Sequence, residues 1–178
     1  MRYVWIAVIA VLVGIIAQSI YKEATKTGAK SVRLACHKKS TVFEKVVSPE
    51  LLEELKENLK HSHLSVTVRE QRSHYAPSQL FEYISVGEVL ALTKKEIAKY
   101  QSTLKPMKKV VVDVLVYEND IQDPGKKNLE AKLYAGYLVY SFLLDEKLVY
   151  KIQIDFMNKE AKDVPDRVAC AIESLMSL

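Results

Sequence analysis

Glycine is scarce in this chain: only five occur among 178 residues, and they are scattered. A glycine-rich loop that could cradle a phosphate is therefore absent. The spacing of serine, histidine, aspartate and cysteine suggests no catalytic triad or dyad. His61-Ser62-His63 has no cysteine or acidic cluster beside it in sequence, which favours solvated histidines over a metal site. We therefore expect no enzyme, no cofactor and no metal.

Runs of like charge are also missing. The formal net charge is +4, and lysine and glutamate are interspersed along the chain. Nucleic-acid binding needs a concentrated basic patch, so we expect no nucleic-acid partner. A content of 49% hydrophobic and 27% charged residues with only five prolines is typical of a folded globular chain.

Cysteine is limited to Cys36 and Cys170. An even count in an exported domain makes a disulfide an alternative to consider. Strand alternation places Cys36 on the inward face of its strand, whereas Cys170 shares a helix face with Asp166 and Glu173, away from the packing stripe. This geometry favours two unpaired cysteines.

A hydrophobic run without charge occupies residues 3–21. It is long enough to cross a bilayer as a helix. Arg2 before it and Ala17-Gln18-Ser19 at its end also fit a cleaved secretory signal. The run exceeds the core of a typical signal peptide, so a retained anchor is favoured, and contact with the membrane through residues 3–21 is predicted.

The orientation of the chain is a separate question. Basic residues follow the run at Lys22, Lys26, Lys30 and Arg33, which by the positive-inside bias would keep the domain in the cytoplasm. A hydrophobic N-terminus that begins with a basic residue is nevertheless the usual export signal, and long domains translocate largely regardless of charge. We expect the domain in the periplasm, anchored in the inner membrane or secreted if the segment is cleaved.

After a linker over residues 22–28, residues 29–178 form a single α+β domain in this interpretation. The pattern predicts a β-α-β unit, then helices, then a three-stranded antiparallel meander with a C-terminal helix. Thr93 and Glu96 fit a capping box at the start of a helix, and the segment before it is ambiguous but leans to helix. The predicted elements are strands over 29–37 and 64–69, helices over 48–60 and 94–104, meander strands over 108–118, 133–144 and 147–156, and a helix from Asp163.

Tyrosine is dense in the meander. Alternation puts Tyr117 and Tyr137 on the face opposite Val116 and Leu138, so the sheet is apolar on both faces. Such a face must be covered, either by the chain's own helices over 79–104 or by a partner. The loop over 119–128 is long for a hairpin and is either a functional projection or a tolerated insertion. The candidate protein-binding residues are Tyr117, Tyr137, Tyr134, Asp123 and Pro124.

This order of elements resembles the TolB amino-terminal-like domains of the bacterial envelope, which include auxiliary lipoproteins of ABC-type transport systems. The likeness is closest where Val110-Val111-Val112-Asp113-Val114 leads through Tyr137-Leu138-Val139-Tyr140 and Leu148-Val149-Tyr150-Lys151-Ile152 into the terminal helix. No cysteine stands directly after the hydrophobic run, so a lipid anchor is not expected. The resemblance implies a non-catalytic accessory of an envelope assembly or transport complex that contacts another protein. A carrier or sensor of a small apolar ligand is the alternative.

Overall fold

The computed structural model describes residues 28–61, 64–102, 108–125 and 133–178. In these residues six strands form one mixed sheet and three α-helices accompany it, which confirms the predicted α+β class. The predicted N-terminal hydrophobic helix lies outside the described residues. The elements are β1 (Ala29–Lys30), β2 (Val42–Val46), α1 (Leu52–Leu59), β3 (Leu64–Gln71), α2 (Val86–Ala98), β4 (Val110–Glu118), β5 (Gly136–Leu144), β6 (Lys147–Phe156) and α3 (Val164–Met176).

The strand order across the sheet is β1-β2-β6-β5-β4-β3. The predicted meander is confirmed, because β4, β5 and β6 pair antiparallel in sequence order. Asp145 and Glu146, with φ of 45° and 70°, form the tight turn between β5 and β6. Two consecutive positive φ values match the mirror-image turns that fit the twist of a hairpin. Among the described strands, β3 and β4 form the one parallel pair, and α2 connects them.

The predicted strand over 29–37 is wrong beyond Lys30. A short 3₁₀ helix, Cys36–Lys39, takes up the end of that segment, and Val32 is 62% exposed. On the side of β6 away from β5, the paired strand is β2, which the pattern did not predict. Local alternation was misleading here because a strand also needs a neighbouring strand with unpaired backbone groups.

Helix α2 begins earlier than the predicted capping box at Thr93. Ser85 caps it instead: the Ser85 hydroxyl accepts the Glu88 N–H, and the Glu88 carboxylate accepts the Ser85 N–H. Thr93 is fully buried in mid-helix, with its hydroxyl 2.9 Å from the Tyr140 hydroxyl. This contact places α2 on the sheet face that carries Tyr140.

All three described helices pack on that same face. Every second residue of β4 and β5 is buried there, and the residues between them are half-buried. One hydrophobic cluster joins these sheet residues to buried side chains of each helix. The helix residues in this core include Leu55 and Leu59 of α1, Val89 and Ile97 of α2, and Val164, Val168, Ala171, Ile172 and Leu175 of α3.

A disulfide joins Cys36 to Cys170, so the expectation of two unpaired cysteines is wrong. Cys36 starts the 3₁₀ helix that lies against α3. Cys170 is 1% exposed, since the segment around Cys36 covers the helix face that the sequence pattern assigned to solvent. The buried surface of α3 is therefore wider than its predicted apolar stripe.

A polar network fixes the same N-terminal segment to the sheet and to α3. The Arg33 guanidinium donates to both carboxylate oxygens of Glu44, at 2.7 and 2.9 Å, and to the Ser177 hydroxyl at 2.6 Å. The Tyr150 hydroxyl also donates to Glu44. Burial opposes ionisation of Glu44, but the hydrogen bonds from Arg33, Ser31 and Tyr150 outweigh it and lower the pKa of Glu44 to about 2.

Replacing Glu44 by glutamine should therefore make the free energy of unfolding less dependent on pH in the acidic range. A carboxyl whose folded pKa lies below its unfolded value stabilises the fold above the unfolded pKa and loses this contribution as pH falls. We expect Glu44→Gln to lose ~1–2 kcal/mol at pH 7 after allowance for solvent screening, and the difference from wild type to narrow between pH ~5 and ~2. Urea unfolding across this range measures it. Glu50→Gln, at an exposed position, is the control. If the stability lost in Glu44→Gln did not change with pH, the lowered pKa of Glu44 would be contradicted.

Candidate functional site

The sheet face opposite the helices, called here the open face, carries apolar side chains that are only half-buried. The three described helices all lie on the other side, so none of them covers this face. Helix α2 thus does not cover the predicted tyrosine surface. The apolar residues of β4 and β5 on the open face are Val111, Leu115, Tyr117, Tyr137, Val139 and Leu143.

Three of the predicted site residues, Tyr117, Tyr134 and Tyr137, form what we call the tyrosine cluster. Tyr117 and Tyr137 are direct cross-strand partners of β4 and β5. Their rings stack with centroids 4.2 Å apart and planes 11° apart. The ring of Tyr134, just before β5, lies 6.2 Å from that of Tyr137. Stacked aromatic pairs add about 0.5–1.5 kcal/mol beyond area burial, so the cluster presents a preformed surface.

Asp155 lies beside the tyrosine cluster, paired with Tyr137 across β5 and β6. Alternation correctly puts it on the open face, but its carboxyl is buried rather than wet, with 7% exposure. Burial raises the pKa of Asp155, and a hydrogen bond from the Gln153 amide at 2.9 Å partly opposes this. No local pattern indicates this burial, which depends on the surrounding aromatic rings.

The phenols of the tyrosine cluster remain protonated at neutral pH. Burial first, and then the neighbouring phenols and Asp155, raise the pKa of Tyr137. Burial and then Asp155 raise the pKa of Tyr134. A protonated phenol donates a hydrogen bond but is a poor base or nucleophile. At neutral pH these side chains are therefore neutral phenols.

The other two predicted site residues, Asp123 and Pro124, lie in the loop after β4. The Asp123 carboxylate accepts the Gly125 N–H at 2.8 Å, which closes a tight turn, and Pro124 is exposed. Asp123 is near enough to Tyr117 to contribute to its raised pKa, after burial and Asp120. The structure thus brings the start of this loop close to the tyrosine cluster. Residues 126–128 of the predicted projection lie outside the described residues.

Two carboxylates at the end of β4, Glu118 and Asp120, hold the loop after β3, and sequence reasoning missed them. Both are buried, with 6% and 4% exposure. Hydrogen bonds from the loop lower the pKa of each against the opposing effect of burial. The backbone N–H groups that they accept are those of Ser73, Gln79 and Leu80 for Glu118, and of His74, Tyr75, Ala76 and Gln122 for Asp120.

This arrangement fixes the loop over 72–79 while leaving its tip exposed. Tyr75 is 55% exposed, and its ring lies 5.0 Å from that of His74 in an edge-on arrangement. Loops held on a rigid scaffold are frequent sites of binding. Since Asp120 is near both this loop and Tyr117, the loop adjoins the tyrosine cluster.

A groove of about 510 Å³ lies on the outside of the helical layer. Its apolar lining includes Ile84, Leu92 and Ala161, and Tyr83, which is 52% exposed, stands at its edge. Charged side chains of both signs surround it, among them Lys95 and Glu160. The groove is an open surface feature rather than a closed apolar cavity.

Among the described residues, one group has the composition of a metal site: Cys36, His37 and Cys170. Its two sulfur atoms form the disulfide, and the His37 ring is hydrogen-bonded to the Ser174 hydroxyl at 2.7 Å and to the Ser31 hydroxyl at 3.2 Å. His61, expected to be solvated, is 6% exposed, which corrects that expectation.

Comparison with known proteins returns no relative. No family model matches the chain, and neither a curated protein nor a solved structure matches it. Within the parts of the chain that the structure describes, no helix is long and apolar enough to cross a membrane. The hydrophobic run over 3–21 lies outside those parts.

Proposed function

We propose that this protein is a non-catalytic interaction module of the bacterial cell envelope, tethered to the inner membrane through residues 3–21. Its partner is another envelope protein, which contacts the tyrosine cluster. The observation that carries the proposal is the stacked Tyr117–Tyr137 pair on a sheet face that no described helix covers. The resemblance to TolB amino-terminal-like domains supports the same class of function.

The chemistry of the cluster supports binding of a protein. Tyrosine offers a large contact area at little cost in side-chain entropy, and it is enriched at the hot spots of interfaces. Each phenol can also donate a hydrogen bond, since its pKa is raised. The cluster is flanked by a fixed loop and by Asp123, which give it the polar rim that protein interfaces usually have.

The disulfide supports the extracytoplasmic placement. Structural disulfides form and persist in oxidising compartments such as the periplasm, and they are rare in reducing cytosol. The Cys36–Cys170 bond, formed near the N-terminal end of the described chain, is consistent with export of the domain that follows the hydrophobic run.

Replacing Tyr117 and Tyr137 by alanine should remove the partner without unfolding the protein. Both rings are half-buried, so we expect each single variant to lose less than about 2 kcal/mol, against about 3–5 for a fully buried aromatic residue. The double variant should recover at least tenfold less of the partner that wild type brings from native membranes, identified by mass spectrometry. Thermal unfolding is measured beside it.

Tyr83→Ala is the matched control because it removes an exposed tyrosine of the groove instead. It should leave recovery unchanged. A loss of several kcal/mol in the cluster variants would make these tyrosines structural, and unchanged recovery would exclude the cluster as the interface. Loss of recovery with Tyr83→Ala alone would favour the groove as the binding site. Its apolar lining suits the alternative function of carrying a small apolar ligand.

A further inference from the structure

Strand β3 forms one edge of the sheet, and no described strand pairs with its outer side. Its eight residues pair in unbroken parallel register with β4, from Leu64 with Val110 to Gln71 with Tyr117. No other strand follows it, and no backbone hydrogen bond reaches its outer side from any described residue. Every second residue of β3 therefore presents an N–H and a C=O that a further strand could pair with.

The first five residues of this edge lack the features that usually protect an edge strand, and its charged residues, Arg69 and Glu70, stand at the other end. Residues 64–68, Leu-Ser-Val-Thr-Val, contain no charge and no proline, and the pairing shows no bulge. Lysine, proline or a bulge is the usual device that prevents another strand from pairing. The side chains of Leu64, Val66 and Val68 on the helical face are only partly buried, so an added strand would cover apolar surface as well as satisfy backbone groups.

A small pocket of about 200 Å³ opens beside the start of this edge, between β3 and the C-terminal half of α2. Leu64 and the buried Ile97 supply its apolar lining. Lys94 and Gln101 supply its polar lining, and Lys94 is the one charged side chain among them. No described residue forms an ion pair with Lys94.

We propose that β3 and this pocket bind an extended segment of another protein as a seventh strand of the sheet. Hydrogen bonds along the backbone would supply affinity, and the pocket would select a side chain. The pocket fits an apolar side chain. Side chains two positions apart in a strand point to the same face, so an acidic residue two positions away would meet Lys94. The ligand class is thus an extended peptide with an apolar residue and an aspartate or glutamate at this spacing.

This site is separate from the one in the proposed function. The pocket lies at the Leu64 end of β3, on the side of the helices, whereas Tyr117 pairs with Gln71 at the other end and faces the open side. The two sites can therefore be occupied at once, and a failure of one leaves the other untouched.

A selection from a random decapeptide library against the full-length chain in mild detergent tests the proposal. The enriched peptides should carry an apolar residue two positions from an acidic one. Lys94→Glu should weaken their binding at least tenfold, and exchanging the peptide's acidic residue for lysine should restore binding to that variant. Lys95→Glu, the neighbouring position that lines the other groove, should leave binding unchanged. N-methylation of alternate peptide amides should weaken binding at least tenfold, with little effect at the amides between them.

Several outcomes would overturn the proposal: no enriched peptide, binding that is indifferent to Lys94→Glu, or N-methylation effects without a period of two. Hydrogen exchange of the chain without peptide, measured at rising protein concentration, tests whether a second copy of the chain occupies the edge. If β3 amides became protected in a dimer without peptide, the edge would belong to a second copy of this chain instead.

Discussion

Reduction of the Cys36–Cys170 disulfide should lower the free energy of unfolding by ~2–5 kcal/mol, a range that reaches the upper end of what one disulfide contributes. The bond joins residues 134 positions apart, so it excludes a large share of the conformations open to the unfolded chain. It also holds the N-terminal segment against α3, where the Arg33 network and the His37–Ser174 hydrogen bond would otherwise retain it. Chemical unfolding of the wild-type chain with and without a dithiol reductant measures the effect.

The variant Cys36→Ser/Cys170→Ser is the control for this experiment. Its stability should match that of the reduced wild type and should not respond to reductant. Thiol titration of denatured, unreduced wild type should find no free thiol, because the described chain contains both of its cysteines in the one bond. Two free thiols would show that the bond does not form. Equal free energies of unfolding with and without reductant would show that it does not stabilise the protein.

Gly136→Ala should destabilise the protein by ~2–3 kcal/mol and disturb the tyrosine cluster. A Cβ at this position would lie 2.2 Å from the Tyr117 carbonyl oxygen and 2.4 Å from the Phe156 ring, so β4 or β6 would have to move. Gly136 is buried at the start of β5, one residue before Tyr137. Thermal unfolding gives the stability, and the near-ultraviolet circular dichroism reports on the packing of the tyrosines.

Gly87→Ala is the matched comparison, and it should change the stability in the opposite direction. The new methyl group would meet only the Ser85 hydroxyl oxygen at 3.8 Å, on an exposed turn of α2. Alanine restricts the unfolded chain more than glycine does, so this variant should gain ~0.5–1 kcal/mol. Equal effects of the two substitutions would mean that close approach of backbone at Gly136 is not what requires glycine there.

The meander could be predicted closely from the sequence. Its strands end within three residues of the predicted limits, since alternation over nine or ten residues is a strong local signal and Asp145-Glu146 marks the turn. The same alternation assigned Tyr117 and Tyr137 to one face, and the structure brings them into contact. Within the candidate site, the shared face of this pair could be predicted from the sequence because both residues lie on directly paired strands.

Contacts between segments far apart in the sequence could not be predicted from local patterns. The hydrogen bonds that Glu118 and Asp120 accept from the loop after β3 join segments about 40 residues apart, and nothing in either segment alone indicates them. Asp155 is polar and alternates correctly, yet its burial depends on neighbours that only the assembled sheet supplies. The open edge of β3 is likewise a property of strand order, which local patterns do not determine.

The α+β class, the meander and the apolar stripe of α3 follow from the sequence, because period-two and period-3.6 patterns record which side of an element is buried. The contacts of each buried side are set by the folded domain as a whole. The tertiary structure placed all the described helices on one face, set β2 beside β6, and brought Cys36 to Cys170 across 134 positions. The physical reason is that burial of an apolar face leaves its partner unspecified, and the choice among partners depends on packing and hydrogen bonding summed over the whole domain.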